Sequence, residues 1–272
     1  DMALIIPRNF DSDLSSARGA QLLAVINGTD SNRATTIGNY FSGIAARYGA
    51  NVTREVLVRE VGGAMVPLDF RSRLLFNPEA SSSDYTIPGI IAILLVMLLT
   101  MLSAITVVRE KERGTLEQLS VTPVNTFEML LGKTIPFLLI GTVITIVLTP
   151  VAVIWFGVPF RGSFLLLLAT SLLYMVSCLG LGLLVGAASE TQQQALMLSM
   201  FAIVPQILLS GFISPIAAMP EVIQWISFLL PARYFLIVVR SIFLKGVGAV
   251  YFAPELLSLT VLSLVLFGLA AV

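Results

Sequence analysis

The sequence predicts a polytopic α-helical membrane protein with a small α/β domain in its amino-terminal part. Three observations predict this fold. Of the 272 residues, 57% are hydrophobic and only 12% are charged, whereas soluble domains average about 25% charged residues. Five long runs after residue 85 contain no charged residue. About half of the charges, 8 basic and 9 acidic residues, lie within residues 1–84.

The composition also excludes several classes of function. The 16 basic residues balance the 16 acidic ones, so the charge balance indicates no nucleic-acid partner. Histidine is absent, which excludes imidazole catalysis and a His-ligated metal site. Cys178 is the single cysteine, which excludes internal disulfides and cysteine-cluster metals. We therefore expect no metal, cofactor or catalytic residue in this chain.

The five charge-free runs are predicted to cross the membrane. The first, residues 86–108, would extend about 34 Å as a helix, which exceeds a hydrocarbon core of about 30 Å. Each of the others is predicted to carry one span, once its Gly and Pro ends are removed. These runs are 134–160, 162–189, 191–220 and 256–272. Because the chain begins at Asp1 and ends without an anchoring side chain, we expect sequence beyond both ends, including a sixth span before Asp1.

Residues 218–252 are apolar but interrupted. Pro220 and Pro231 bound a segment that is too short to cross a bilayer. Arg233 and Arg240 follow at helical spacing, and two cations would be costly at the middle of the membrane. We predict a re-entrant helical hairpin in the outer interface, within a transmembrane domain that covers residues 85–272.

Residues 1–84 are predicted to form the α/β domain. Apolar residues at 37, 41, 44 and 45 are spaced as one face of a helix that reaches about Tyr48. A shorter helix is predicted over residues 11–17. Four apolar runs are typical of strands, at 2–6, 22–26, 52–61 and 70–76.

The segment after the first span, residues 109–133, holds four basic and four acidic residues in alternation. Thr115 with Gln118, and Asn125 with Glu128, match the capping-box pattern and predict short helices. From charge alone, a solvated turn is the simpler interpretation. Gly132-Lys133-Thr134 has the ending of a phosphate loop, but Phe127 stands where that motif needs its first glycine. We expect Lys133 to snorkel to the membrane interface instead.

Residues 109–123 read R-E-K-E-R-G-T-L-E-Q-L-S-V-T-P. In this segment the chain resembles the membrane subunits of type-2 ABC exporters, in the bacterial drug-exporter branch. Those permeases carry R-E-K-E-R-G-T-x-E-Q-L-x-V-T-P directly after their second span. The turns at 27–30 and 76–79 are similar to family turns as well, so the resemblance covers essentially the whole chain.

The resemblance implies an orientation and a set of partners. Residues 109–133 would be cytoplasmic and would include a coupling helix that docks on a separate ABC ATP-binding subunit, where ATP and Mg²⁺ bind. A second permease subunit, identical or different, would complete the passage through the bacterial inner membrane. The domain 1–84 would lie in the periplasm, where an adaptor protein is a further candidate partner. The coupling-surface candidates, by position, are Glu110, Glu112, Arg113, Glu117 and Gln118.

The predicted spans offer few polar residues for a transport pathway. No charged residue occurs in 86–108, 134–156, 163–188 or 195–217, so no carboxylate is available to bind a coupling ion. ATP hydrolysis by a partner fits this pattern. Thr142, Thr145 and Thr149 share one helical face and are candidates to line the pathway, although such hydroxyls often bond to their own backbone.

Two further features of the spans each leave two interpretations open. Gln206 either lines the pathway or makes an interhelical hydrogen bond. Gly182 and Gly186 form a G-x-x-x-G pair that lets helices approach closely, either between subunits or within the chain.

The leading hypothesis is therefore the transmembrane subunit of an ATP-driven exporter. A membrane scaffold or assembly factor, whose periplasmic domain binds partners without transport, is the alternative. An integral-membrane enzyme ranks third, because carboxylates such as Asp11, Asp13 and Asp69 form no recognisable nucleophile and base arrangement.

Overall fold

The computed structural model describes residues 2–10, 21–27, most of 34–48, 69–75, 82–114 and 126–270. The chain divides into two compact units, Asp1–Tyr85 and Thr86–Val272. The predicted strand at 52–61 and the predicted helix at 11–17 lie outside the described residues.

The first unit contains a three-stranded sheet in the order β1-β2-β3. These strands are β1 (Met2–Ile5), β2 (Gln21–Asn27) and β3 (Asp69–Leu75). β2 pairs antiparallel with β1 and parallel with β3. A parallel pair needs a long crossover, and helical residues between 34 and 48 lie within the connection from β2 to β3.

The core of this unit joins β2 to these helical residues. Ala24 and Ile26 point to the same side of the sheet, as alternate strand residues do, and pack with Ala34, Ile37 and Phe41. Ala45 is buried as well, whereas Ile44, which the spacing places on the same helical face, is 62% exposed.

Five helices of the described chain are long and apolar enough to cross a membrane, which confirms the five predicted spans. The first, α1, continues past the apolar run to Glu112, so the charged residues 109–112 extend the span instead of beginning the loop. The helices are α1 (Ser82–Glu112), α2 (Thr126–Ile154), α3 (Phe164–Ala187), α4 (Gln192–Leu209), α5 (Glu221–Ser227), α6 (Pro231–Arg240) and α7 (Ala253–Ala270).

The short helices α5 and α6 form a hairpin with an 84° bend. The first turn of α6 lies beside the last turn of α4, because the Ala232 N–H donates to Oε1 of Gln206 at 3.2 Å. A π-helical turn (Ser241–Lys245) extends α6, and the Phe243 carbonyl accepts from the Arg161 N–H at 3.0 Å. Arg161 belongs to the connection between α2 and α3. By length and composition the pair is either one broken span or a re-entrant segment, so the re-entrant hairpin at 218–252 stays a prediction.

In contrast, α7 crosses the whole unit. It begins soon after the hairpin, and its last residues, Phe267 and Ala270, pack against Val107, Leu130 and Leu183. Those three residues lie near the end of α1, the start of α2 and the end of α3. The end of α7 therefore lies at the face opposite the hairpin.

The central helix of this unit is α3. The Tyr174 ring stacks on Phe235 of α6 at 4.3 Å between centroids, and its hydroxyl donates to the Ala92 carbonyl of α1 at 3.1 Å. The hydroxyls of Ser177 and Ser263 lie 2.6 Å apart and join α3 to α7. These contacts join α3 to α1, α6 and α7.

Candidate functional site

Three consecutive charged residues at the end of α1 contact three different helices. Glu110 reaches α2, Lys111 reaches the end of α3, and Glu112 reaches the start of α4. Successive side chains on an α-helix point about 100° apart, which is why neighbouring residues find separate partners. We call Glu110, Lys111, Glu112 and the groups that they contact the α1-end cluster.

The first contact is an ion pair between Glu110 and Lys133. Nζ of Lys133 donates to a carboxylate oxygen of Glu110, and the side chain of Lys133 is only 13% exposed and that of Glu110 only 24%. The expected interfacial position of Lys133 stays a prediction, and the structure adds Glu110 as its partner. Partial burial weakens solvent screening, so this pair is stronger than an exposed one.

The second contact neutralises the end of α3. Nζ of Lys111 donates to the carbonyls of Gly186 and Ser189 at 3.2 Å each, and to that of Ala187. The last carbonyls of a helix have no partner within it and carry partial negative charge. Because α3 has no basic residue in its last turn, α1 supplies the cation.

The third contact places a negative charge at the start of α4. The Gln192 backbone N–H donates to Oε1 of Glu112 at 2.8 Å, and the Gln192 side-chain amide donates to Oε2. The first turn of α4 contains no acidic residue, so Glu112 supplies the anion that this helix end favours.

A capping box also fixes the start of α4. Thr191 Oγ1 accepts from the Gln194 N–H at 3.2 Å, and Gln194 Oε1 accepts from the Glu190 N–H at 2.9 Å. The first bond satisfies an N–H that the helix itself leaves free, and the second binds the N–H of Glu190, just before the cap residue. Gln192 is thus held in place to meet Glu112.

The coupling-surface candidates divide into three groups. Glu110 and Glu112 bind other helices of the same chain, although Glu112 is exposed, and their role in coupling stays a prediction. Arg113 is exposed, and Gly114, with φ of 69°, lets the chain leave α1 in a left-handed turn. Glu117 and Gln118 lie outside the described residues.

The three candidate pathway threonines bond to their own helix. Thr142, Thr145 and Thr149 donate to the carbonyls four residues earlier, at 2.7, 2.9 and 2.7 Å. Thr145 and Thr149 are buried inside the chain, and Thr142 is half-buried. Gln206 is also buried and makes the interhelical bond to Ala232. A role for any of the four in lining a pathway stays a prediction.

The glycine pair of α3 brings two helices of the same chain together. A Cβ at Gly182 would lie 2.5 Å from the Thr100 carbonyl oxygen, and one at Gly186 would lie 2.8 Å from Cβ of Val107. Thr100 Oγ1 donates across this contact to the Cys178 carbonyl at 3.3 Å. The close approach is therefore between α3 and α1, and the intrachain alternative is the one that the structure has.

The comparison with family models covers the entire chain. Residues 1–272 match the model described as ABC-2 family transporter protein. The chain belongs to the ABC-2 transporter family. This confirms the resemblance first seen in residues 109–123, and it makes the chain the permease subunit of an ABC-2 type transporter.

Curated relatives of this ABC-2 permease agree with the family. The probable multidrug ABC transporter permease YbhS of Escherichia coli is 34% identical over 98% of this chain and 70% of its own length. The probable multidrug ABC transporter permease YbhR of the same organism is 30% identical over 88% and 63%. ABC transporter G family member 20 of Dictyostelium discoideum is 28% identical over 70% of this chain and 26% of its own length.

Sequence reasoning missed Lys111 and Gln192, and it gave Lys133 a different role in this permease. The start of α4 carried a usable signal, because Thr191 and Gln194 match the capping-box pattern. The alternating charges of residues 110–112 were a second signal. Three successive helical residues cannot share one face, so they predict three separate contacts.

Proposed function

We propose that this permease is the transmembrane subunit of an ATP-driven exporter in a bacterial inner membrane. Two permease chains form the passage, and separate ABC subunits bind ATP with Mg²⁺ and hydrolyse it. The domain 1–84 lies on the periplasmic side, where an adaptor protein is a further candidate partner. The α1-end cluster carries the proposal, because it connects the segment 109–133 to four helices.

The lack of charged residues in the membrane-spanning helices α3 and α4 supports transport that is driven by a partner's ATP hydrolysis. Neither α3 nor α4 contains an acidic or basic residue. An ion-coupled transporter needs a buried carboxylate or a similar group to bind its ion. Charge is concentrated instead at the end of α1, where a soluble motor subunit can reach the exposed Arg113.

Among the coupling candidates, Arg113, Glu117 and Gln118 are the residues that we assign to the surface that docks on the ATPase. Arg113 is exposed at the end of α1, and the other two follow it by four and five residues. Charged groups at such a surface set docking register and association rate more than affinity. Glu110 and Glu112 act from within the chain.

Charge reversal tests this assignment. In the full-length permease expressed with its ATPase subunit, Arg113→Glu combined with Glu117→Lys should abolish co-purification of that subunit and the ATP hydrolysis of the complex. Glu221→Lys, an exposed carboxylate on α5, serves as the matched control and should keep both. Full retention of both activities by the double variant would refute the docking surface.

A scaffold would give a different result. If no ATPase subunit with a complete phosphate loop is encoded beside this chain, and none co-purifies with the unaltered permease, the membrane scaffold replaces the transporter.

A further inference from the structure

The α1-end cluster joins four helix ends that the chain sequence separates. Glu110 holds α2 through Lys133, and Lys111 holds the last carbonyls of α3. Glu112 holds the first N–H of α4. All three side chains come from one turn of α1, directly before the exposed Arg113.

The three contacts differ in chemistry, and in each the charge of the α1 side chain is opposite to the charge or partial charge of its partner. An ion pair joins two side chains, a cation meets helix carbonyls, and an anion meets a helix N–H. Each uses a charged group, and charged hydrogen bonds are about twice as strong as neutral ones. The last turn of α3 contains no basic residue and the first turn of α4 no acidic one, so α1 supplies charges that these turns lack.

We propose that Glu110, Lys111 and Glu112 are positioning residues that make the ends of α1, α2, α3 and α4 move as one body. This inference rests on the proposed coupling to an ATPase. A force applied to the segment after Arg113 reaches α1 first, and the three contacts pass it to the other helices at once. The turn between α3 and α4 therefore follows α1 and does not respond separately.

The close packing of α3 on α1 supports this. Gly182 and Gly186 place the α3 backbone against Thr100, Ala104 and Val107 over the last turns of both helices. Sliding between α1 and α3 is opposed along this contact, because packed side chains do not deform continuously. The charged contacts add α2 and the start of α4 to the same body.

Distances between spin labels test the proposal. Cysteines replace Leu131 on α2 and Gln193 on α4, which are both exposed and outside the cluster. Their intrachain separation is measured in the full permease–ATPase complex, in lipid nanodiscs, without nucleotide and after trapping with MgATP and vanadate. We expect one distance that is the same in both states.

The ion pair provides the informative variants. Glu110→Lys alone and Lys133→Glu alone should broaden the distance distribution and make it depend on the nucleotide state. The exchanged pair, Glu110→Lys with Lys133→Glu, should restore the single distance, and Glu221→Lys should leave it unchanged. If the exchanged pair restores the single distance, the broadening in the single variants comes from the lost ion pair and not from a general loss of stability.

Each outcome decides the proposal. A distance in the unaltered permease that changes on trapping, or an exchanged pair that behaves like the single variants, overturns it. If the single variants fail to insert, the unaltered permease and the exchanged pair still give these results. Failure of the ATPase subunit to co-purify with the unaltered permease would instead refute the coupling function itself.

Discussion

At the scale of single residues, the close contact of α3 with α1 depends on two glycines, Gly182 and Gly186, which have no Cβ. A Cβ at Gly182 would come within 2.8 Å of Cβ of Ser103 as well as 2.5 Å from the Thr100 carbonyl. One at Gly186 would lie 2.9 Å from the Ala104 carbonyl. Backbone atoms cannot rotate away as a flexible side chain can, so the helices themselves would have to separate.

We therefore expect Gly182→Ala to destabilise the transmembrane unit by about 1–3 kcal/mol, the usual cost of overpacking a close contact. Thermal unfolding in detergent, followed by intrinsic fluorescence, measures the change. Gly268→Ala on α7 is the control, because nothing lies within 4 Å of the added methyl group. Equal melting temperatures for the two variants would show that the α1–α3 contact is not tight.

At the scale of elements, the helical hairpin of α5 and α6 determines the number of crossings. Near its bend, Ala232 contacts Gln206 close to the end of α4, and the π-helical turn at its end contacts Arg161 between α2 and α3. At the bend, the guanidinium of Arg233 lies 3.9 Å from the centre of the Phe228 ring. Nη1 of Arg233 also donates to the Gln224 carbonyl at 3.2 Å.

Labelling with a membrane-impermeant maleimide tests the re-entrant hairpin. Single cysteines at Trp155 and Val250, which are 84% and 90% exposed, should react from the same side of the membrane. A cysteine at Gln193 should react only from the other side. Cys178 is buried and can be replaced by serine as the background. A Val250 cysteine that reacts from the side of Gln193 would mean that the hairpin crosses.

The sequence predicted the spans well, because a long run without charge is a property of the chain alone. It could not predict which helices touch. Lys133 was expected at the interface, yet it pairs with Glu110, 23 residues earlier. Gly182 and Gly186 suit either a subunit interface or a neighbouring helix, and only the position of α1 decides between them.

The contacts of the candidate site could not be predicted from the sequence. Residues 109–123 pointed to the coupling region through the resemblance alone. That Glu112 would bind Gln192 depends on how the ends of α1 and α4 meet, across 80 residues of chain. Pairings of this kind arise from the packing of several helices, which no local pattern encodes.

At the scale of the whole molecule, the charges of the transmembrane unit are concentrated at the end of α1. A chain with 12% charged residues places three of them side by side at the end of one helix, and each holds a different neighbour. The ABC-2 family gives the chain the role of a permease. We propose that the motor subunit acts on that permease at the α1-end cluster.

The most direct test of the account is to cross-link the permease to its ATPase subunit. A photoreactive amino acid replaces Arg113 at the end of α1 or, as the control, Trp155 at the opposite face, in cells that express both subunits. We predict an adduct with the ATPase subunit from position 113 and none from position 155. No adduct from position 113, or equal adducts from both positions, would contradict the assignment of the α1 end as the site of coupling.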